Sequence, residues 1–471
     1  MSVQMLKVLS DMKRLGVKPD LRTYNTLLSV LAESAMHYET LAVVEDMKAM
    51  GIRPDVQTHN HIINAARFHD VAVTYDHMQA LEKEDLYANS TTYALVIRKC
   101  CLDAKLEMVL RLLVEMEEKG LSPKLETAQA IISLAAKLGQ PRLAIDLAEN
   151  FEASSVRRLE GHVWVDCLTS STALLFEDGV SRMWQKVVHD LKISPDEGVC
   201  LEALNTAARH GLPELAMDVL QTLQSIGARL QEHHFASIIE AYARTGGIKE
   251  AFSILALMRS QNIIPGSGAA HPIFLAIQDA PAAVDAAWDV LEEMHKNAEP
   301  VDIAAINAIV QASVAQGDLQ RAVGTYQACA QFGVAPDVDT YNALLSGCIA
   351  ARHRELGDRL LTEMREAGVR PDLHTYERLV VLCLTSPTYE DAFFYLEEMK
   401  AEHYVPPYGV YEAIVRRCVS EGDARYKLAL EEMREIGYHV SPALARFIEN
   451  GGKPRGEGRG AAGPQSTATA S

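Results

Sequence analysis

One phrase returns along this chain at a fixed interval, and that interval limits the possible fold more than any other feature. Val334-Ala-Pro-Asp337-Val-Asp-Thr-Tyr-Asn342 recurs 35 residues on as Val369-Arg-Pro-Asp372-Leu-His-Thr-Tyr-Glu377. Val17-Lys-Pro-Asp20-Leu-Arg-Thr-Tyr-Asn25 recurs at the same interval as Ile52-Arg-Pro-Asp55-Val-Gln-Thr-His-Asn60. A period of this size marks a supersecondary unit too small to bury its own apolar face, so neighbouring units must stack. Function in such a chain belongs to a long repeated surface and not to one pocket.

Each unit reads as two amphipathic helices. In residues 21–55 the first carries Tyr24, Leu27, Leu28 and Leu31 at three- and four-residue spacing, and the second carries Leu41, Val44, Met47 and Met50. Gly51 follows as a C-cap, Pro54 stops the helix, and Asp55 can cap the next one. The second helices end alike, in Asp46-Met-Lys, Glu115-Met-Glu, Glu293-Met-His, Glu363-Met-Arg, Glu398-Met-Lys and Glu432-Met-Arg. The methionines are predicted to be core between units and the carboxylates to be solvated outer faces. Aligned on this pattern, residues 1–20 form a half repeat (second helix only), 21–139 and 201–441 hold repeats that are strongest in 21–55, 303–337 and 338–372 and weak from 125 to 302, and 140–200 hold degenerate ones. A terminal helix over 442–450 and a disordered tail over 451–471 complete the chain.

Composition narrows the class. Hydrophobic residues make up 48% of the 471, enough for a core that runs continuously between units. The net charge of −18 weighs against a nucleic-acid partner, since phosphate neutralisation drives most such binding, although a basic strip can sit on an acidic body. The eight cysteines include no Cys-x-x-Cys pair and several fall in apolar helical runs, so they read as free buried thiols of a reducing compartment. No apolar run reaches about 18 residues, so no membrane span is expected. The first residues lead straight into a second-half helix, with neither an apolar signal core nor an Arg/Ser-rich transit segment ahead of it. That points to a clipped start or a removed targeting segment.

Catalytic signatures are missing. There is no His-x-Glu with Pro-Cys-x-x-Cys, so no zinc deaminase site. Gly266-Ser-Gly268 has no following Lys-Ser/Thr and reads as a turn, not a phosphate loop. His59 with His61, and His233 with His234, lack partners at ligand spacing and read as groove or surface histidines. Repeats reach about residue 441, leaving no room for an appended nuclease. The expectation is a chain that is not an enzyme, with no catalytic residues, no metal and no cofactor.

The period of 35, the Thr-Tyr-Asn-x-Leu-Leu opening helix, the Glu-Met-Lys/Arg closing helix and the Gly-Val/Ile-x-Pro-Asp turn resemble the pentatricopeptide repeat family, P-type, without a catalytic C-terminal domain. The resemblance implies an all-α, right-handed superhelical solenoid of about twelve helix-turn-helix repeats, with first helices lining a concave groove. It also implies single-stranded RNA as ligand, one base per repeat, hydrogen-bonded by the fifth and last residues of the repeat. Here those are Asn25 with Asp55, Asn60 with Asn89, Asn307 with Asp337, and Asn342 with Asp372. By the family's rule Asn with Asp favours uracil and Asn with Asn cytosine. Elsewhere the same positions hold Ala94 with Lys124, Gln129 with Leu159, Leu201 with Gln231, Ala236 with Gly266, His271 with Asp302, and Glu377 with Pro407, none of which fits that rule. The second residue, aliphatic in the family and sandwiching the base, is Arg22, Gln57, Ala304 and Asp339 in the four units that fit. Lys137, Arg209 and Arg244, at the ends of first helices, are candidates to meet phosphates.

Two functions follow as expectations. One is an organellar RNA-binding adaptor, mitochondrial with chloroplasts as the alternative, that holds RNA along the groove to support processing, stability or translation. The other is a protein-interaction scaffold on an organellar ribosome or assembly complex. No small-molecule substrate and no membrane partner is expected.

Overall fold

The computed structural model describes residues 2–452; from 453 onward, the tail expected over 451–471 lies outside them. Among the described residues there are 26 α-helices and no strand. After α1 (Ser2–Arg14) the helices alternate as first and second members of hairpins: α2 (Leu21–Glu33) with α3 (His37–Ala49), α4 (Val56–Ala65) with α5 (Val71–Lys83), and α6 (Ser90–Leu102) with α7 (Leu106–Glu118). Next come α8 (Leu125–Lys137) with α9 (Pro141–Ser154), α10 (Gly161–Ala173) with α11 (Glu177–Trp184), and α12 (Glu197–His210) with α13 (Pro213–Ser225). The series continues with α14 (Glu232–Arg244) and α15 (Ile248–Ser260), α16 (Ser267–Ile277) and α17 (Pro281–Lys296), and α18 (Ile303–Ala315) and α19 (Leu319–Gln327). It ends with α20 (Val338–Ala351) and α21 (Arg354–Glu366), α22 (Leu373–Thr385) and α23 (Asp391–Ala401), α24 (Tyr408–Glu421) and α25 (Tyr426–Glu435), then α26 (Pro442–Glu449). These make twelve hairpins. The chain divides into two compact units: unit 1 runs to His210 and takes in Glu214–Arg229, and unit 2 comprises Gly211–Pro213 and the chain from Leu230.

Short-range chemistry starts and stops the helices. Asp20, Asp55, Asp337 and Asp372 are N-caps, each accepting the backbone N–H of the threonine three residues on. In the last three the threonine hydroxyl accepts the cap's own N–H, closing a capping box. Gly51 ends its helix at φ +77°, a left-handed conformation that costs glycine nothing.

Packing follows the two-layer plan. In unit 1 α2, α4, α6, α8, α10 and α12 stack side by side, and in unit 2 α14, α16, α18, α20, α22 and α24 do the same. Tyr24, Leu27, Leu28 and Leu31 are buried as the spacing predicts, and so are Met47, Met116, Met294, Met364, Met399 and Met433. One stripe needs correcting. On α3 the buried residues are His37, Thr40, Val43, Val44 and Met47, whereas Leu41 is half-buried and Met50, as C-cap, is exposed.

The carboxylates beside the methionines also differ from expectation. They are partners, not merely solvated. Asp46 accepts the Tyr24 hydroxyl at 2.8 Å, Glu115 that of Tyr93 at 2.6 Å, and Glu432 that of Tyr411 at 3.1 Å. Burial and the bond to Glu115 push the Tyr93 hydroxyl up to about 12. The basic residue after the methionine of one repeat reaches the carboxylate beside the methionine of the next in Lys13–Asp46, Arg365–Glu398 and Lys400–Glu432, while Lys48 reaches Glu84, the C-cap of α5.

The degenerate stretch keeps the hairpin rhythm with other residues. Trp164 and Trp184 are buried in it, α11 runs on into a π-helical turn over Gln185–Asp190, and Trp184 Nε1–H donates to Asp218 Oδ2 on α13 at 2.8 Å. Seven cysteines are buried and Cys101 is half-buried, all as free thiols. No helix among the described residues is long and apolar enough to cross a membrane.

Candidate nucleic-acid interface

The paired positions fall at the N-terminal ends of the stacked first helices. Each asparagine lies one turn into its helix, and its partner is the N-cap of the next first helix. Stacking brings the two together across 30 residues of sequence. Asn25 Nδ2 donates to Asp55 Oδ1 at 3.2 Å, Asn307 Nδ2 to Asp337 Oδ1 at 2.9 Å, and Asn342 Nδ2 to Asp372 Oδ1 at 3.2 Å.

A threonine that the sequence reading missed completes each set. Thr58 Oγ1 lies 2.8 Å from Asn25 Oδ1, Thr340 Oγ1 2.6 Å from Asn307 Oδ1, and Thr375 Oγ1 2.9 Å from Asn342 Oδ1. These are the threonines whose backbone N–H groups bind the capping aspartates. The signal was present as the threonine of Thr-Tyr-Asn, but its hydroxyl partner lies a full repeat away.

This wiring settles which atoms remain available. Every intramolecular bond to the three carboxylates arrives at Oδ1. Oδ2 is left as an acceptor, and the second amide N–H of each asparagine as a donor. An adjacent donor and acceptor complement an N–H flanked by a carbonyl, the edge of an imide. Asn60 and Asn89 form a variant. Asn89 Oδ1 caps Thr91 and Thr92 through their N–H groups at 3.0 Å, while Thr92 Oγ1 donates to Asn60 Oδ1 at 2.7 Å. The exposed atom of the cap is then an amide N–H, which complements a ring nitrogen acceptor.

Hydrogen bonds favour the charged form of two of the caps. Burial works against the charged form of Asp55, yet the bonds from Thr58 and Asn25 hold its carboxyl below the ordinary range; Asp372 is held down in the same way by Thr375 and Asn342. Asp339, between Asp337 and Asp372, goes the other way: desolvation first, then those two carboxylates, push it up. In unit 1 both pairs open onto one depression of about 780 Å³, lined among others by Arg22, Gln57, His61 and Thr91. Desolvation lowers the pKa of His61. Its neighbour His59 is buried, with Nε2 3.2 Å from Glu84 Oε2, so the expectation of a groove or surface residue fits His61 and not His59. His234 is likewise buried, while His233 is exposed.

Comparison with known proteins decides the family. A model described as pentatricopeptide repeat domain matches residues 7–67 and 78–137, one described as pentatricopeptide repeat-containing protein matches 197–329, and one described as PPR repeat family matches 336–384. The chain belongs to the pentatricopeptide repeat family. A mitochondrial pentatricopeptide repeat-containing protein of Arabidopsis thaliana is 30% identical over 169 residues, covering 32% of this chain and 27% of that protein. The match thus spans about a quarter of the relative's length. The maize pentatricopeptide repeat protein PPR10 aligns over 96% of this chain and 67% of its own at 18% identity, with a TM-score of 0.38. PPR10 in complex with an 18-nt psaJ RNA element aligns over 95% and 74% at 15% identity, also at 0.38.

In this pentatricopeptide repeat chain the other repeats put different chemistry at the paired positions. Lys124 Nζ donates to Thr91 Oγ1 at 2.9 Å, and Gln129 is buried with its Nε2 unsatisfied. Leu159 is buried, and the N-cap of α10 is Glu160, one residue beyond the expected boundary. Asp302 caps Ala304 and pairs with Arg259. Glu377 lies 2.8 Å from His374 Nδ1. Of the candidate phosphate contacts, Lys137 and Arg209 are exposed, whereas Arg244 is tied to Glu240 at 2.9 Å.

Proposed function

We propose that this pentatricopeptide repeat protein binds single-stranded RNA along the first-helix face, reading a pyrimidine at each of the four Asn-centred pairs. The observation that carries the reading is the shared wiring of Asn25–Asp55, Asn307–Asp337 and Asn342–Asp372, which spends Oδ1 on the fold and leaves one acceptor beside one donor. Uracil presents N3–H next to a carbonyl and matches that pair, while cytosine presents N3 as an acceptor and matches Asn60 with Asn89. Arg22, exposed beside the first pair, supplies a planar cation to stack on a base. The role we assign is an adaptor in RNA processing, stability or translation. We place it in mitochondria, on the strength of the mitochondrial relative.

The deciding measurement is equilibrium binding of the full chain to fluorescent RNA oligonucleotides selected from a random pool. Enrichment of pyrimidines at fixed spacing, with affinity lost at least tenfold in Asn307→Ala/Asn342→Ala, supports the reading. Selection of no motif, or a motif indifferent to those changes, refutes it. A second reading, a protein-interaction scaffold, draws on the crowding of Asp337, Asp339 and Asp372, which repels phosphate in that part of unit 2.

A further inference from the structure

Four large apolar side chains stand in solvent at the same place in four successive repeats. Phe68, Leu102, Leu138 and Leu174 are 77%, 70%, 42% and 55% exposed. Each lies within two residues of the C-cap of a first helix, respectively α4, α6, α8 and α10. These helices pack each on the next, so their C-terminal ends form a row along one edge of unit 1. The row is bounded: α2 ends in Glu33 with Ser34 as cap, and α12 ends in Arg209-His210. Among the described residues unit 2 has no counterpart. Its first-helix caps are Thr245, Gln278, Gln316, Arg352, Ser386 and Gly422, and none of its large exposed apolar residues falls within two residues of them. Scattered exposed leucines need no explanation, but an aligned set confined to one edge does.

Three acids beside the row are locally engaged: Asp70 accepts the Ala72 N–H, Asp103 pairs with Lys99 at 2.8 Å, and Glu177 lies 3.3 Å from His210 Nδ1. Lys105, Lys137 and Arg209 are exposed, and among the described residues no carboxylate pairs with them. We propose that this edge of unit 1 docks an acidic amphipathic helix of a partner protein, laid along the row. Packed helices lie roughly 8–10 Å apart. A helix rises about 10 Å in seven residues, so leucines recurring once per heptad meet the four side chains in turn. Glutamates flanking them meet Lys105, Lys137 and Arg209. Each of the four first helices contributes one such side chain, which suits a helix better than a lipid surface. The proposal does not rest on RNA binding, because the row lies at the opposite end of the first helices from the Asn-centred pairs.

The test uses the full chain and a labelled synthetic helix of four heptads, with leucine once per heptad and glutamate beside it. A scrambled peptide and vesicles of phosphatidylserine with phosphatidylcholine are the comparisons. Anisotropy is expected to show saturable binding of the helix that weakens at least tenfold in Leu102→Asp/Leu138→Asp. Leu428→Asp, at a 60% exposed leucine outside the row, should bind as the parent does. Circular dichroism melts confirm that each variant is folded. A helix that binds no better than its scramble, a double variant that binds unchanged, or vesicle flotation that depends on the row without helix binding would each overturn the proposal.

Discussion

Asn307 gives an amide hydrogen to Asp337, 2.9 Å away across a repeat boundary, and thereby fixes which oxygen of the aspartate faces out. Oδ1 also takes the Thr340 N–H at 3.0 Å, so the outward atom is Oδ2. Asp337→Asn preserves the cap, since the two residues are near-equal N-caps, but replaces an outward acceptor with an outward donor. Stability should change by less than about 0.5 kcal/mol. Preference at the matching RNA position should move from uracil to cytosine by roughly tenfold, about 1.4 kcal/mol. Oligonucleotides differing at that single base measure it, and an unchanged U/C ratio counts against the pairing. Asn307→Ala is expected to cost about 1 kcal/mol of stability, by removing the donor to Asp337 and the nearer of the two acceptors of Thr340 Oγ1.

A second prediction concerns the bonds that tie repeats together. Glu432 accepts both the Tyr411 hydroxyl at 3.1 Å and Lys400 Nζ at 2.6 Å. Glu432→Ala breaks both and leaves a largely buried tyrosine hydroxyl without its acceptor, so about 1–2 kcal/mol of stability should be lost. Lys400→Ala removes two partly exposed ion pairs, to Glu432 and Glu397, each worth little, and should cost less than Glu432→Ala, about 1 kcal/mol at most. Urea unfolding followed by circular dichroism ranks the two. Equal losses would show that the tyrosine bond contributes nothing.

These cases show what could be read from sequence. The caps, the turn glycines and the apolar period of helices such as α2 rest on residues no more than four apart, and those signals were legible. The four Asn-centred pairs could be named only through the resemblance to the pentatricopeptide repeat family, whose fifth and last repeat positions they occupy; stacking then brings residue 25 against residue 55 and residue 307 against residue 337. The bridging hydroxyls of Thr58, Thr340 and Thr375 were not legible, since a threonine three residues after an aspartate already has a local role in the capping box. Asp46 and Glu115 looked like solvated acids because nothing local says that a tyrosine of the same repeat turns toward them. In the degenerate stretch the tie between Trp184 and Asp218 replaces motifs altogether, and only coordinates reveal it.

Histidines should make unit 1 sensitive to mild acid. The His37 ring lies 4.6 Å from His69 and 5.4 Å from His77, centre to centre, and Tyr38 stands 5.7 Å from His69. Burial, then the charge on His69, lowers the pKa of His37; burial, then His37 and His59, lowers that of His77 against a small opposing pull from Asp76. A histidine depressed in the fold takes up its proton first in the unfolded chain, near its ordinary value of about 6.5. Stability is therefore full above that pH and declines as the pH falls from there to the folded-state value. The melting temperature should drop between pH 7.5 and 5.5, and His77→Gln should shrink the drop. A melting temperature flat across that window would remove the cluster as the cause.

Two helical glycines predict opposite outcomes for the same substitution. Gly324, in α19, has nothing within 4 Å of where a Cβ would sit, and its helix gains from alanine's higher propensity. Gly324→Ala should stabilise by about 0.5–1 kcal/mol. Gly357, in α21, packs where a Cβ would run into Leu382 Cδ2 and meet Leu345 Cδ2 at 3.6 Å. Leu382 is 1% exposed, so its methyl has no solvent to swing into and neighbouring core must shift instead. Overpacking of this kind costs about 1–3 kcal/mol, more than the propensity gain returns, so Gly357→Ala should be net destabilising. Differential scanning calorimetry of the two variants reads the sign directly. If Gly357→Ala raises the melting temperature as Gly324→Ala does, the close approach of α21 to α22 is softer than their packing implies.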